Sequence, residues 1–244
     1  MIHIDPLKLY FGEDFQASDT VKVSCPTVKD IAYFGEQEYY SMVHTLVAIP
    51  SDMKSRLWDM GLDWEEVSDF ELFIMLSRSL PQSKTYLLLG DVDLSCMKIY
   101  QHPNIEDEIV LADKEHGIVI DSYTYLKMAE YIRQMHGLKK KVERAKNKIT
   151  KRVLIEDDRR RIERSAETKY KSFLYPLVSA IKVRMGYTLD YIGQMHIVEF
   201  MDDLRRLQII TQSDALLHGM YGGMINAKEI DKKILDWTRP FDNY

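Results

Sequence analysis

Cysteine is nearly absent: Cys25 and Cys96 are the only two in 244 residues. That excludes a disulfide-stapled fold, and it excludes a thiolate-rich zinc site, which needs closely spaced cysteine pairs. Both thiols are expected to be reduced, buried and inert. Long apolar runs are missing too, since no stretch approaches the roughly 20 residues that span a bilayer. The opening Met-Ile-His-Ile-Asp-Pro has no basic segment followed by an apolar one. No secretory signal and no membrane association are therefore expected, and the chain is placed in the cytosol. The sequence also lacks a Gly-x-x-x-x-Gly-Lys-Ser/Thr loop, a Gly-x-Gly-x-x-Gly turn and a Gly-x-Ser-x-Gly elbow. Phosphate-cradling NTPases, dinucleotide enzymes and common serine hydrolases lose support accordingly. The expectation is a binding or assembly protein, not an enzyme, with no cofactor and no metal.

What is present is a globular composition, 45% hydrophobic and 29% charged, with a net charge of -5. At this length a chain buries about 70% of its unfolded surface, enough for a core without staples. Charge is unevenly spread. Residues 1–136 carry 11 Lys/Arg against 23 Asp/Glu, residues 137–172 carry 14 against 6, and residues 173–244 carry 8 against 9. The basic block from Gly137 to Arg164 reads as a solvated arm. Clustered cations of this kind can bind phosphates, yet no aromatic residues interleave them as single-strand binders require. An exposed helical connector is the preferred reading, and nucleic-acid binding is not expected. The acidic N-terminal part offers the block a partner within the same molecule or in a neighbouring copy.

The periodicity predicts a mainly α protein with a small β-hairpin or meander insert and a long charged helical arm. Four regions follow: an N-terminal helical region over 1–90, a β insert over 91–121, an amphipathic helix with the basic arm over 122–172, and a C-terminal helical region over 173–244. Residues 4–23 suggest a brief hairpin or extended lead-in. Thr27 and Asp30 signal a helix over 28–48, with a second from Ser51 to Met60 stopped by Gly61. Asp63 and Ser68 offer successive caps, and Ser68 with Glu71 forms a capping box ahead of the apolar Phe70 to Leu76, which Pro81 ends. From about Leu87 the period becomes extended, with strands over 97–100, 108–111 and 117–120 and a tight turn from Asp113 to Gly117. Asp121 or Ser122 caps an amphipathic helix with Leu126, Met128, Ala129, Ile132 and Met135 on one stripe. Residues 170–183 read as a buried helix with Pro176 in its first turn or at a kink. Ile192 to Ile210 is a further helix, and Asp214 to Tyr221 a short one closed by Gly222-Gly223.

Residues with chemistry to offer are sparse. Seven histidines are scattered, and none forms a His-x-x-x-His pair. His196 with Glu199, the Asp91/Asp93 pair and the run Glu106-Asp-Glu108 could each hold a cation, but a local surface contact, a turn and a solvated loop account for them more simply. His44 reads as a core or interface histidine. Thirteen methionines and fifteen tyrosines suit either an adaptable interface or a helical core.

Five segments taken in order carry a resemblance: Phe70-Glu-Leu-Phe73, Lys151 to Arg161, Tyr170 to Ala180, Leu216 to Met224 and Lys232 to Arg239. Together they resemble a family of proteins from phages and prophages of Gram-positive bacteria, found in tail gene clusters near the major tail protein and tape-measure genes. The resemblance implies a helical, non-enzymatic tail assembly chaperone in the host cytoplasm, with the tape measure or tail tube as partner. A structural virion component of the tail or connector is the alternative, with homo-oligomerisation open under either. A long helical tape measure exposes apolar stripes before tube subunits enclose it, and an amphipathic groove could cover them. The candidate groove residues are Phe70, Leu72, Phe73, Met75 and Leu76 with Tyr125, Met128 and Met135. The arm residues Lys139, Lys140, Lys141, Arg144, Arg159, Arg160, Arg161 and Arg164 would add charge steering.

Overall fold

Helix starts are set by side chains that accept the free N–H groups of the first turn, each such cap being worth about 1 kcal/mol. In a computed structural model of the chain, describing residues 2–102, 105, 108–226 and 230–239, Asp5 caps α1 (Pro6–Tyr10) and Thr27 with Asp30 forms a reciprocal box on α2 (Val28–Phe34). The helix expected over 28–48 is two helices. Gly35, at φ 103°, breaks it, and α3 runs Glu36–Leu46. Between α1 and α2 lies a two-stranded antiparallel hairpin, β1 (Phe15–Gln16) with β2 (Lys22–Val23), in the register Phe15 to Val23. A 3-10 turn at Pro50–Asp52 leads into α4 (Lys54–Asp59). Asp63 holds a turn by accepting from the Glu65 N–H, and the Ser68/Glu71 box opens α5 (Asp69–Ser77).

Pro81 precedes an element as well as following one: it is the N-cap residue of α6 (Gln82–Leu89), a helix that runs past the Leu87 where the extended pattern is expected to begin. The insert itself is an antiparallel meander of β3 (Lys98–Gln101), β4 (Ile109–Asp113) and β5 (Ile118–Ile120), with Ile99 opposite Leu111 and Leu111 opposite Ile120. Glu106 and Asp107 lie outside the described residues. Asp121 caps α7 (Ser122–His136), which ends on left-handed Gly137. After an irregular stretch come α8 (Lys148–Glu167), α9 (Leu174–Met185), α10 (Leu189–Gln194), α11 (Ile197–Tyr221) and α12 (Lys232–Leu235). The fold is mainly α, as the periodicity predicts.

Helix α10 stops at Gln194 for a tertiary reason. The His196 ring donates from Nδ1 to the Cys25 carbonyl at 2.8 Å, while Val28 N–H donates to the Met195 carbonyl and Ile197 N–H to the Pro26 carbonyl, both at 3.0 Å. This strand-like stitch ties the C-terminal helices to the N-terminal segment. The main core accordingly draws on all four regions, from Leu9 and Val43 through Leu111 and Ile132 to Ile181 and Phe200. A second, smaller core joins Ala48, Leu57, Trp64 and Leu72 to Ile155 of α8. Among the described residues, no helix is long and apolar enough to cross a membrane.

Candidate partner-binding surface

The basic arm is not a solvated arm. α8 packs along α4, burying Ile155 and Asp158. Asp158 accepts from the Ser55 N–H at 3.0 Å and the Ser55 hydroxyl at 2.7 Å, and it pairs with Arg161 at 2.6 Å. Burial alone would push this carboxyl up, but the Ser55 bonds together with Arg161 and Lys54 hold it below the usual aspartate value. Lys151 pairs with Asp63 and with Glu65 and lies 4.8 Å from the centre of the Trp64 ring. Of the eight arm residues named above, Lys140 meets Asp69, Lys141 meets Glu143, Arg159 meets Asp59 and Glu156, Arg160 meets Asp157 and Arg161 meets Asp158. Lys139, Arg144 and Arg164 have no ion pair among the described residues. Lys140, Lys151 and Arg159 thus pair with carboxylates of the acidic first half of the same chain, while Lys141, Arg160 and Arg161 pair with carboxylates inside the block.

The candidate groove also falls elsewhere. Phe70, Leu72, Phe73, Tyr125, Met128 and Met135 are core residues, with the Phe73 and Tyr125 rings stacked at 4.4 Å. Leu76 is half-buried in the smaller core, and Met75 alone of the eight is exposed. Six interior side chains cannot form a docking groove without opening the fold. Periodicity marks an apolar face, and here that face meets the protein's own α3 and α7.

Exposed apolar surface is concentrated on α9 instead. Leu174, Leu177, Val178 and Ile181, at helical spacing, face the core. The opposite side carries Tyr175, Pro176, Ser179, Ala180 and Val183, which with Arg184 line a shallow depression. Tyr175 is 74% exposed and Val183 82%. The helix expected to be buried is therefore apolar on two faces, with only one covered. Such a helix ordinarily sits inside a larger core. Met185, at the end of α9 and at the spacing of Ile181, and Leu189 and Tyr191 of α10 are exposed as well.

The start of α9 is fixed by one carboxylate from α3. Glu36 accepts from the Phe173 N–H at 2.6 Å, the Leu174 N–H at 2.8 Å and the Ser172 hydroxyl at 2.5 Å. Partial burial opposes the charge, but these bonds and the Tyr170 hydroxyl outweigh it and keep Glu36 below the ordinary glutamate value. It thus acts as a remote cap, holding two N–H groups at the helix start while the Ser172 hydroxyl accepts from the Tyr175 N–H at 2.9 Å. Proximity in sequence gave no hint of it.

The residues singled out for cation chemistry have structural partners. Asp93 is held by Ser95 and Cys96, Asp91 accepts from Gln82, and His196 contacts Cys25 as described. Among the described residues, no cluster of three or more His, Cys, Asp or Glu side chains has metal-binding geometry. Cys25 is buried, but Cys96 is exposed, correcting the expectation that both are interior. His44 is exposed on α3 rather than part of the core.

Residues 167–242, spanning α9 to α12, match the family model described as YomV second domain, a phage-derived, prophage-like family. The match supports a phage or prophage protein. No curated protein and no solved structure matches the chain.

Proposed function

We infer that the chain is a phage tail assembly factor that acts by binding another phage protein through the outward face of α9. The observation that carries this reading is the uncovered apolar face of α9 from Tyr175 to Val183, lying within the segment similar to the YomV second domain. The resemblance of residues 70–239 to tail-cluster proteins supplies the partner class: the tape measure, a helical chain whose apolar stripes need cover, or the tail tube subunit. A helix from such a partner fits the α9 face, because Ser179 and Ala180 leave a small-residue hollow between the larger Tyr175 and Val183. The ion pairs along α8 favour this over a nucleic-acid role, since a cation already paired with carboxylates has fewer counterions to release.

Co-expression with the neighbouring tape-measure and tube proteins, followed by affinity capture and mass spectrometry of lysate complexes and finished particles, tests it. Capture in lysate with absence from particles supports the chaperone role. A fixed copy number in particles makes the chain a structural tail component. The doubly substituted Ala180→Glu, Val183→Glu protein should keep its melting transition, because both side chains are exposed, and lose capture. No tail partner with the native chain, or undiminished capture by the double variant, overturns the reading.

A further inference from the structure

Three charged side chains are buried among the described residues: Lys54, Arg133 and Asp158. Lys54 meets Glu143 at 2.8 Å and Asp158 meets Arg161, but Arg133, only 5% exposed, has no carboxylate within 4 Å among the described residues. Its guanidinium gives one N–H from Nη2 to the Val47 carbonyl at 2.8 Å and also contacts the Tyr125 hydroxyl. Two neutral oxygens compensate a buried cation poorly.

Arg133 lines a cavity of about 340 Å³ between α3 and the segment following α7, together with Lys139, His44 and the apolar Val47 and Ile49. Lys140 and Lys141 reach the same cavity but are engaged by Asp69 and Glu143. Asp52 is the one carboxylate on the wall, and it accepts from the Ile49 N–H at 3.1 Å. Arg133 and Lys139 against Asp52 leave the wall with a positive balance.

A second cavity of about 320 Å³ adjoins the first, because His44 and Leu138 line both. Its other walls are aromatic and apolar: Tyr40, Tyr170, Phe173 and Met201. His136 also lines it but has no nitrogen to spare. Nδ1 donates to the Ile132 carbonyl at 2.8 Å, and Nε2 accepts from the Tyr39 hydroxyl at 2.8 Å. This half of the groove offers mainly apolar contact area.

We propose that these two cavities form one binding site for a small amphipathic anion, with its carboxylate or phosphate on Arg133 and Lys139 and its aromatic or branched apolar body against the wall that Tyr40 and Phe173, packed edge to face at 6.1 Å, form with Tyr170 and Met201. The planar fork of an arginine matches either headgroup bidentately, and the combined volume falls within the range of sites for small organic ligands. The site is separate from the outward face of α9 and does not depend on the partner reading.

Titration calorimetry of the full chain with 1-naphthoate, 1-naphthyl phosphate and neutral 1-naphthamide tests it. At least one acid should bind tenfold or more tighter than the amide, and whichever acid binds better identifies the headgroup. Arg133→Met, which keeps an unbranched apolar stem but removes the guanidinium, should abolish the acid preference. Phe173→Ala, at a half-exposed position, should weaken acid and amide alike and leave their ratio unchanged. The site is refuted if neither acid binds below 1 mM, if acid and amide bind the native chain equally, or if the preference survives in a folded Arg133→Met protein. The native-chain ratio decides the matter even if Arg133→Met does not fold.

Discussion

Replacing Asp158 by Ala separates a docked α8 from a solvated arm. The substitution removes the acceptor of two hydrogen bonds from Ser55 and leaves the Ser55 N–H buried without a partner. Hydrogen bonds to a charged acceptor contribute about 1.5–3 kcal/mol each, and two are lost. The exposed Arg161 adds little, since its side chain remains solvated. A loss of about 3–5 kcal/mol is expected for Asp158→Ala. Asp158→Asn keeps an acceptor oxygen and should cost about 1–2 kcal/mol.

Equilibrium urea unfolding combined with native-state hydrogen exchange measures this, because α8 could open without the main core. In the native chain the Ser55 amide should exchange at least 100-fold more slowly than in the Asp158→Ala chain. The same contact predicts a pH response. The folded-state carboxyl titrates below its ordinary value of 3.8, so its contribution is complete above that pH and disappears as pH falls through the lower folded value. Change within 0.5 kcal/mol in the unfolding midpoint energy, with unaltered Ser55 exchange, is what a solvated arm would give. That result would refute the packing argument.

Phe73→Ala should cost about 3–5 kcal/mol in urea unfolding, since Phe73 is buried and stacked on Tyr125; a variant as stable as the native chain would return Phe73 to a surface role. Burial pushes His136 down to about 4 from 6.5, so the unfolded chain binds the proton first. Stability should therefore rise between pH 4 and 6.5 by about 3 kcal/mol, and His136→Gln, which retains an acceptor for Tyr39, should flatten that part of the profile. Burial raises the Cys25 thiol to about 12, while Cys96 is exposed. An aromatic disulfide reagent at pH 8 should thus titrate one thiol rapidly in the folded chain and two after unfolding, and two fast thiols in the folded chain would contradict the buried position of Cys25.

Helix existence was legible from local chemistry. The Thr27/Asp30 and Ser68/Glu71 boxes, Asp121 before α7 and the unbroken apolar run Ile109 to Ala112 in β4 each encode their element within four or five residues. What local chemistry could not show is which neighbour covers an apolar face. Phe70 to Leu76 and Tyr170 to Val183 look alike as sequence, yet α5 is enclosed by α3 and α7 while α9 is covered on one side alone. The same blindness assigned the basic block to solvent, because the first-half carboxylates that meet Lys140, Lys151 and Arg159 lie 71 to 100 residues away. It also hid Glu36, which reaches 137 residues along the chain to start α9.

These long-range contacts bear on function through rigidity. The Glu36 cap fixes where α9 begins, and the stitch between Thr27 and His196 fixes the joint between α10 and α11 that follows it. An apolar face held at both ends needs little ordering on contact with a partner, so less of its burial energy is offset by lost conformational freedom. Glu36→Gln tests whether that rigidity matters. The amide keeps an acceptor for the two N–H groups but loses the charge, so α9 should exchange faster at its first turn and tail-protein capture should weaken several-fold without a change in the Tyr175 to Val183 surface. Faster exchange with unchanged capture would mean that the exposed face alone, and not its preorganisation, determines binding.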